Sequence, residues 1–268
     1  MAFPRAVFLA AAAAEAPEAD AAQLAAWADR LAELYDGDDG PTPRRYHTGV
    51  HVAALIAQLD AGGRAAGKLS VLSRNEWVLA AVVRPFLPTV PKEASPISAD
   101  LVSPRSASSP AQFHDAIYDA KSSTNEEDSA RLYSEFARDV GAAGRGGEDD
   151  AVVRVILATK SHAQPPAREG DDDGLAADFA LFLDADVSIL AAEGDAYWAY
   201  ADQIHTEYGH MSDEAYCSGR AAVLRKFLAR ERIFLSQLFY DALEARARAN
   251  LAAEIAELDA GRLPTTSG

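Results

Sequence analysis

The sequence has almost no cysteine and too few basic residues to balance its acids. Cys217 is the one cysteine in 268 residues, which excludes an internal disulfide framework and favours a reducing, cytoplasmic setting. It reads most simply as a small buried apolar side chain. Lys and Arg number 25 against 41 Asp and Glu, a formal charge of -16. That balance excludes broad electrostatic attraction to a nucleic acid polymer or an anionic membrane surface. Any anionic ligand must be held by a few local cations or by a metal. No apolar run approaches the ~18 to 20 residues needed to span a bilayer. A glycine-rich phosphate loop and an internal repeat are also missing.

Hydrophobic residues make up 49% of the chain, enough for one large or two small domains with a substantial core. The first 19 residues hold a lone Arg5 and the apolar run Ala6 to Ala14, a faint likeness to a signal or transit peptide. Because alanine is only weakly apolar, this stretch is read as a flexible, frayed extension. From Asp20 to Tyr35, Leu24, Trp27, Leu31 and Leu34 recur at helical spacing until "DGDDGPTP" breaks the pattern. A second helix is expected from near Arg45 to "DAGG" and a third over "SRNEWVLAAVV". Residues 84–112 carry six prolines and no sustained period, so they are expected to form an irregular Pro/Ser-rich insertion.

Helical order is expected to resume at "FHDAIYD" and to continue through "TNEEDSARLYSEFARDVG" and "GGEDDAVVRVILATKSH". Three further segments keep a period near 3.6, and "RIFLSQLFYDALEARARANLAAEIAEL" reads as a long closing helix. No alternating, turn-bounded runs argue for a sheet. The expected fold is therefore all-α, a compact helical bundle over residues 20–260 with one irregular insertion and a flexible tail at 261–268.

Within this helical pattern a few residue types stand out. In "RRYHTGVHV", His47 and His51 lie four apart, so on a helix they share a face about one turn from each other. Two partly exposed helix histidines would look the same. His114 and Asp115 in "FHDAIYD" are equally readable as a core histidine beside a capping or ion-paired aspartate. Asp184 and Asp186 fall inside the apolar "LFLDADVSIL", where an uncompensated carboxylate costs several kcal/mol to bury. A cation is expected beside them, and their own helix offers neither Arg nor Lys. Imidazoles and carboxylates together suit a divalent ion, and a set that leaves positions open suits hydrolysis better than a closed structural site.

The order H, then HD, then D resembles the HD-domain superfamily of metal-dependent phosphohydrolases. The blocks "RRYHTGVH", "FHDAIYD", "NEEDSA", "LATKSH", "LDADVSIL", "YADQIHTEY" and "ARANLAAEIAEL" resemble one branch of it, from Trp27 to Leu258 apart from the insertion. The resemblance implies an HD-like helical domain in which His51, His114, Asp115 and Asp186 ligate a divalent metal ion, whether Mn, Mg, Fe, Zn or Co. Asp184 is the less expected of its pair. "YHTGVH" is also similar to a stretch of the cyclic-nucleotide phosphodiesterases, which implies that His47 is a general acid, with Thr48 standing where those enzymes have Asn. Asp115 would serve catalysis as well as metal binding. Lys121, Lys160, His162 and Arg45, with Arg44 beside it, would contact phosphate, or else pair with solvated carboxylates. Glu126 or Glu127 would orient a ligand or complement a helix N-terminus, and His205, His210 and Arg220 read as structural.

The implied activity is hydrolysis of a small phosphorylated molecule, a nucleotide among the candidates, by metal-activated water. Two other readings stand beside it. One is a helical metal- or nucleotide-binding module without catalysis. The other is a di-iron oxygenase, which would need more histidines after the HD pair than His162 supplies.

Overall fold

A computed structural model of the chain describes residues 3–37, 40, 42–66, 112–142, 146–171 and 174–264, without the side chains of 14, 15 and 60–66. The proposed helix at 73–83 and the insertion at 84–112, except its last residue, lie outside the described residues. Gln112, assigned to that insertion, is fully buried. The described residues are helical with no strand, so the fold is all-α. None of their helices is long and apolar enough to cross a membrane.

Nine α-helices follow in order among the described residues: α1 (Arg5–Glu15), α2 (Ala21–Asp36), α3 (Gly49–Ala66), α4 (Asn125–Asp139), α5 (Ala151–Thr159), α6 (Leu175–Asp186), α7 (Asp195–Glu207), α8 (Asp213–Leu228) and α9 (Gln237–Asp259). A 3-10 turn, Val187–Ala191, prolongs α6. Packing pairs α1 with α2, α4 with α5, α3 with α6 and α8 with α9, while α9 also rests on the 3-10 turn. The starts follow sequence chemistry. Asp20, Asp150, Ser212 and Ser236 each accept a backbone N–H as N-caps of α2, α5, α8 and α9. In α2 the anticipated stripe is buried, with Leu24, Trp27 and Leu31 in the core.

The N-terminus corrects the sequence reading, since residues 5–15 form α1 and belong to the core. Phe8, Ala11 and Ala12 have no exposed surface. Phe8 packs against Phe113 and Phe136 at ring separations of 6.2 and 5.6 Å, and Phe3 stacks on Tyr35 at 5.5 Å. The alanines that made this segment look inert give it a smooth face for close approach. Phe3 also donates its N–H to Asp36 at 2.7 Å. Gly49 completes the fit, because a Cβ there would lie 2.4 Å from the Phe3 nitrogen and 2.5 Å from its Cα.

Two other boundaries move for electrostatic reasons. The closing helix begins at Gln237 and not at Arg232, because side chains hold the backbone before it. Glu244 accepts the N–H groups of Ile233 and Phe234, and Asp184 accepts those of Leu235 and Ser236 at 2.6 and 2.7 Å. The "FHD" stretch is likewise turn, not helix, over 112–124. Arg44 takes the carbonyls of Asp115 and Ala116, each at 2.8 Å, which a helix would have used internally. Ser129 and Asn125 hold the N–H groups of Ile117 and Asp119.

Phe8→Ala is therefore expected to destabilise the protein by ~3 to 5 kcal/mol, the cost of emptying a buried aromatic site. Chemical denaturation checks it, and a loss below 1 kcal/mol, as for a frayed extension, would contradict the packing of α1.

Candidate metal centre

Four polar side chains converge where α3, the HD turn and the end of α6 meet. His51 sits in the first turn of α3, His114 and Asp115 come from the turn fixed by Arg44, and Asp186 ends α6. His51 Nε2 lies 3.2 Å from His114 Nε2 and 3.2 Å from Asp186 Oδ1. Asp115 Oδ2 is 3.0 Å from His114 Nε2 and 3.5 Å from His51 Nε2. The remaining imidazole contact, His114 to Asp186, is 3.5 Å. Ligands ~2.0 to 2.2 Å from one ion would lie ~3.0 to 3.5 Å from each other in octahedral or tetrahedral geometry. His51, His114 and Asp186 come within reach of one ion with Asp115 against both imidazoles, and the chemistry of these donors suits a divalent transition ion.

The carboxylates and His114 shift one another's ionisation. Burial opposes protonation of His114, but Asp115 and Asp186 outweigh it and hold the imidazole well above its ordinary pKa. Burial likewise raises Asp115 and Asp186, and the neighbouring histidines overcome it, taking both below the usual carboxylate range. The fold adds a further demand for positive charge. Asp186 stands at the negative end of the α6 dipole, and the last turn of that helix contains no basic residue.

Asp184, two residues earlier, meets a different solution. It points away from the cluster and accepts Leu235 N, Ser236 N and Ser236 Oγ, all within 2.7 Å. The cation expected from sequence is thus replaced by the N-terminus of α9, whose exposed amides suit an anion. Burial, opposed by those hydrogen bonds, still pushes its pKa up to about 6.

His47 lies just before α3, which starts at Gly49 and not near Arg45, so it does not share a helical face with His51. Glu207 of α7 is the reason. Its carboxylate accepts the N–H groups of Arg45, Tyr46 and His47 at 2.7, 2.8 and 3.0 Å, folding the segment into a turn. Its other oxygen meets His47 Nδ1 at 2.6 Å and the Tyr118 hydroxyl at 2.9 Å. His47 remains near the cluster, its ring 5.9 Å from that of His51 and stacked on Tyr118 at 4.2 Å. Burial lowers its basicity, yet Glu207 raises its pKa above the ordinary value. Glu207 itself, although burial raises it, is brought down to about 2 by His47 and the amides.

The other candidates are spread unevenly. His162 Nε2 reaches the second oxygen of Asp186 at 3.0 Å. Lys160 pairs with Glu127 at 2.5 Å and reaches the Ser123 carbonyl, so Glu127 serves a lysine and not a ligand histidine. His162, Lys160 and Glu126 line a cavity of about 550 Å³ that opens onto Asp115, Asp186 and His47. Lys121 is exposed and lines neither this cavity nor a second one of about 400 Å³ on the Val50 side of His51, which Arg45 borders. Arg44 is occupied by three carbonyls, those of His47, Asp115 and Ala116. Arg220 is structural as read, paired with the fully buried Glu254 at 2.8 Å, although it also borders the larger cavity. His205 packs on Tyr216, and His210 is exposed near Tyr208.

No family model, curated protein or solved structure matches this chain. Its chemistry must therefore be read from the site itself.

Replacing Glu207 with Gln keeps the shape and removes the charge, so the His47 pKa is expected to fall. An NMR titration of the His47 ring reads this directly. An unchanged midpoint would show that Glu207 does not set the protonation of His47.

Proposed function

We propose that the chain is a metal-dependent phosphohydrolase of the HD-domain type, acting on a small phosphorylated molecule. The observation that carries this reading is the convergence of His51, His114 and Asp186, each within 3.5 Å of the others, with Asp115 within 3.5 Å of both imidazoles, at the edge of a cavity large enough for a small molecule. These four residues would hold one divalent ion. When bound, such an ion supplies an acidified water as nucleophile and draws charge from the phosphoryl oxygens.

The chain's own residues account for the remaining needs. His47 is held at Nδ1 by Glu207, which leaves Nε2 to give a proton to the departing oxygen. Glu207 raises the pKa of His47 above its ordinary value, which favours the protonated ring. His162 holds the second oxygen of Asp186 and so fixes the carboxylate's orientation. Lys160, already paired with Glu127, offers positive charge at the cavity rim without standing free. The acidic surface has no part in attracting an anion, so recognition falls to these few groups.

Purified protein is expected to retain a divalent ion and to hydrolyse phosphate esters. His114→Ala and Asp115→Ala should abolish both together, because each removes a donor and unbalances buried charge. Stoichiometric metal in either variant would refute the donor assignment. His47→Ala should keep the ion and slow turnover ~100- to 10,000-fold, as removal of a proton donor does. Loss of the ion from that variant would make His47 a ligand. Wild-type protein that binds metal but turns over no phosphate ester would support a binding module instead.

A further inference from the structure

The larger cavity has two unlike walls. One carries His47 with Asp115 and Asp186 of the cluster, and the other is built by the end of α7 and by α8 from Ile204, Tyr208, Tyr216, Val223, Leu224 and Phe227. The second wall is apolar and aromatic. The full cations of the lining are both already neutralised, Lys160 by Glu127 at 2.5 Å and Arg220 by Glu254 at 2.8 Å. His47 faces Glu207 and His162 faces Asp186. Among the described residues of this lining, none is left to neutralise a second anionic group on a ligand.

Gly219 adds an independent sign. It lies inside α8, where glycine destabilises a helix relative to alanine. Packing does not demand it, because an added Cβ would meet only Met211 Cε, at 4.0 Å, and its φ is not positive. Yet Gly219 lines the cavity, so the missing side chain widens the apolar wall. Tyr216, in the same wall, is 3% exposed and its hydroxyl has no hydrogen-bond partner among the described residues.

We infer that the α7–α8 wall around Gly219 is a specificity subsite for an uncharged, ring-containing apolar body carried by a singly phosphorylated substrate. The inference rests on the hydrolase reading, in which the phosphoryl group sits at the His/Asp cluster. Polyphosphates and substrates with a charged body are selected against, since their extra charge would be desolvated beside groups already paired.

Calorimetric titration of metal-loaded protein with three inert probes tests this: methylphosphonate, phenylphosphonate and 4-carboxyphenylphosphonate. Wild type is expected to bind phenylphosphonate at least about 10-fold more tightly than methylphosphonate, through burial of the ring. The added carboxylate should weaken binding relative to phenylphosphonate. Gly219→Leu fills the widened wall and improves helix propensity, so it should fold at least as stably while the ring preference falls to within about 2-fold. Gly219→Ala, a smaller intrusion, should fall between. Equal affinity for the methyl and phenyl probes in wild type, a preference that survives Gly219→Leu, or tighter binding of the carboxylated ring would each overturn the subsite. Failure of the hydrolase reading looks different, because protein that retains no ion and binds none of the probes overturns the cluster's role and the subsite with it.

Discussion

Two partly buried carboxylates, Asp115 and Asp186, face two buried imidazoles, and that charge cluster is the constraint around which the structure is arranged. Ionised acids in this place call for a nearby cation, whether a proton on His114 or a metal among the donors. The surrounding chain is organised to fix the donors before any cation arrives. Arg44 ties the HD turn to the start of α3 through backbone carbonyls of both. Gly49 lets the entry to α1 close over the same helix start. The α6 terminus then brings Asp186 in with its dipole adding to the demand for positive charge.

Charge is also what separates neighbouring residues of the same type. Asp184 and Asp186 are two positions apart on one helix end, and each finds positive potential from a different source. The amides before α9 take Asp184, and the histidines take Asp186. Glu207 does for the chain before α3 what Asp184 does for α9, gathering three backbone N–H groups and leaving one oxygen for His47. Buried acids that organise backbone turns are thus a recurring device in this fold, and Glu244 provides a third case.

Much of this was readable in the sequence where the signal was local. The apolar stripe of α2, the acidic first turn of α4 and the existence of α5 to α9 follow from local period and punctuation, although α6 is buried on nearly every side. His51, His114, Asp115 and Asp186 were singled out by the resemblance to the HD-domain superfamily, and the fold places them next to one another. What escaped was set by distant partners. The turn at His47 depends on Glu207, some 160 residues later, and the turn at "FHD" depends on Arg44, 71 residues earlier. Local period cannot report either. Glu207 nevertheless left a trace, since it continues the buried stripe of Tyr197, Tyr200 and Ile204, where an acid has no place without partners. The α1 segment was misjudged because alanine scores as weakly apolar, although a smooth alanine face packs closely.

The most direct test of a shared cation is the proton count when a divalent ion enters. Metal-free protein titrated with Zn or Mn in buffers of different ionisation enthalpy yields both stoichiometry and proton release. The account predicts one ion per chain with release of protons near neutral pH, as His114 surrenders the proton that its carboxylate neighbours hold in place. Asp186→Asn should sharply weaken that binding. Absence of stoichiometric binding, or binding that displaces no proton and is indifferent to Asp186→Asn, would contradict the account.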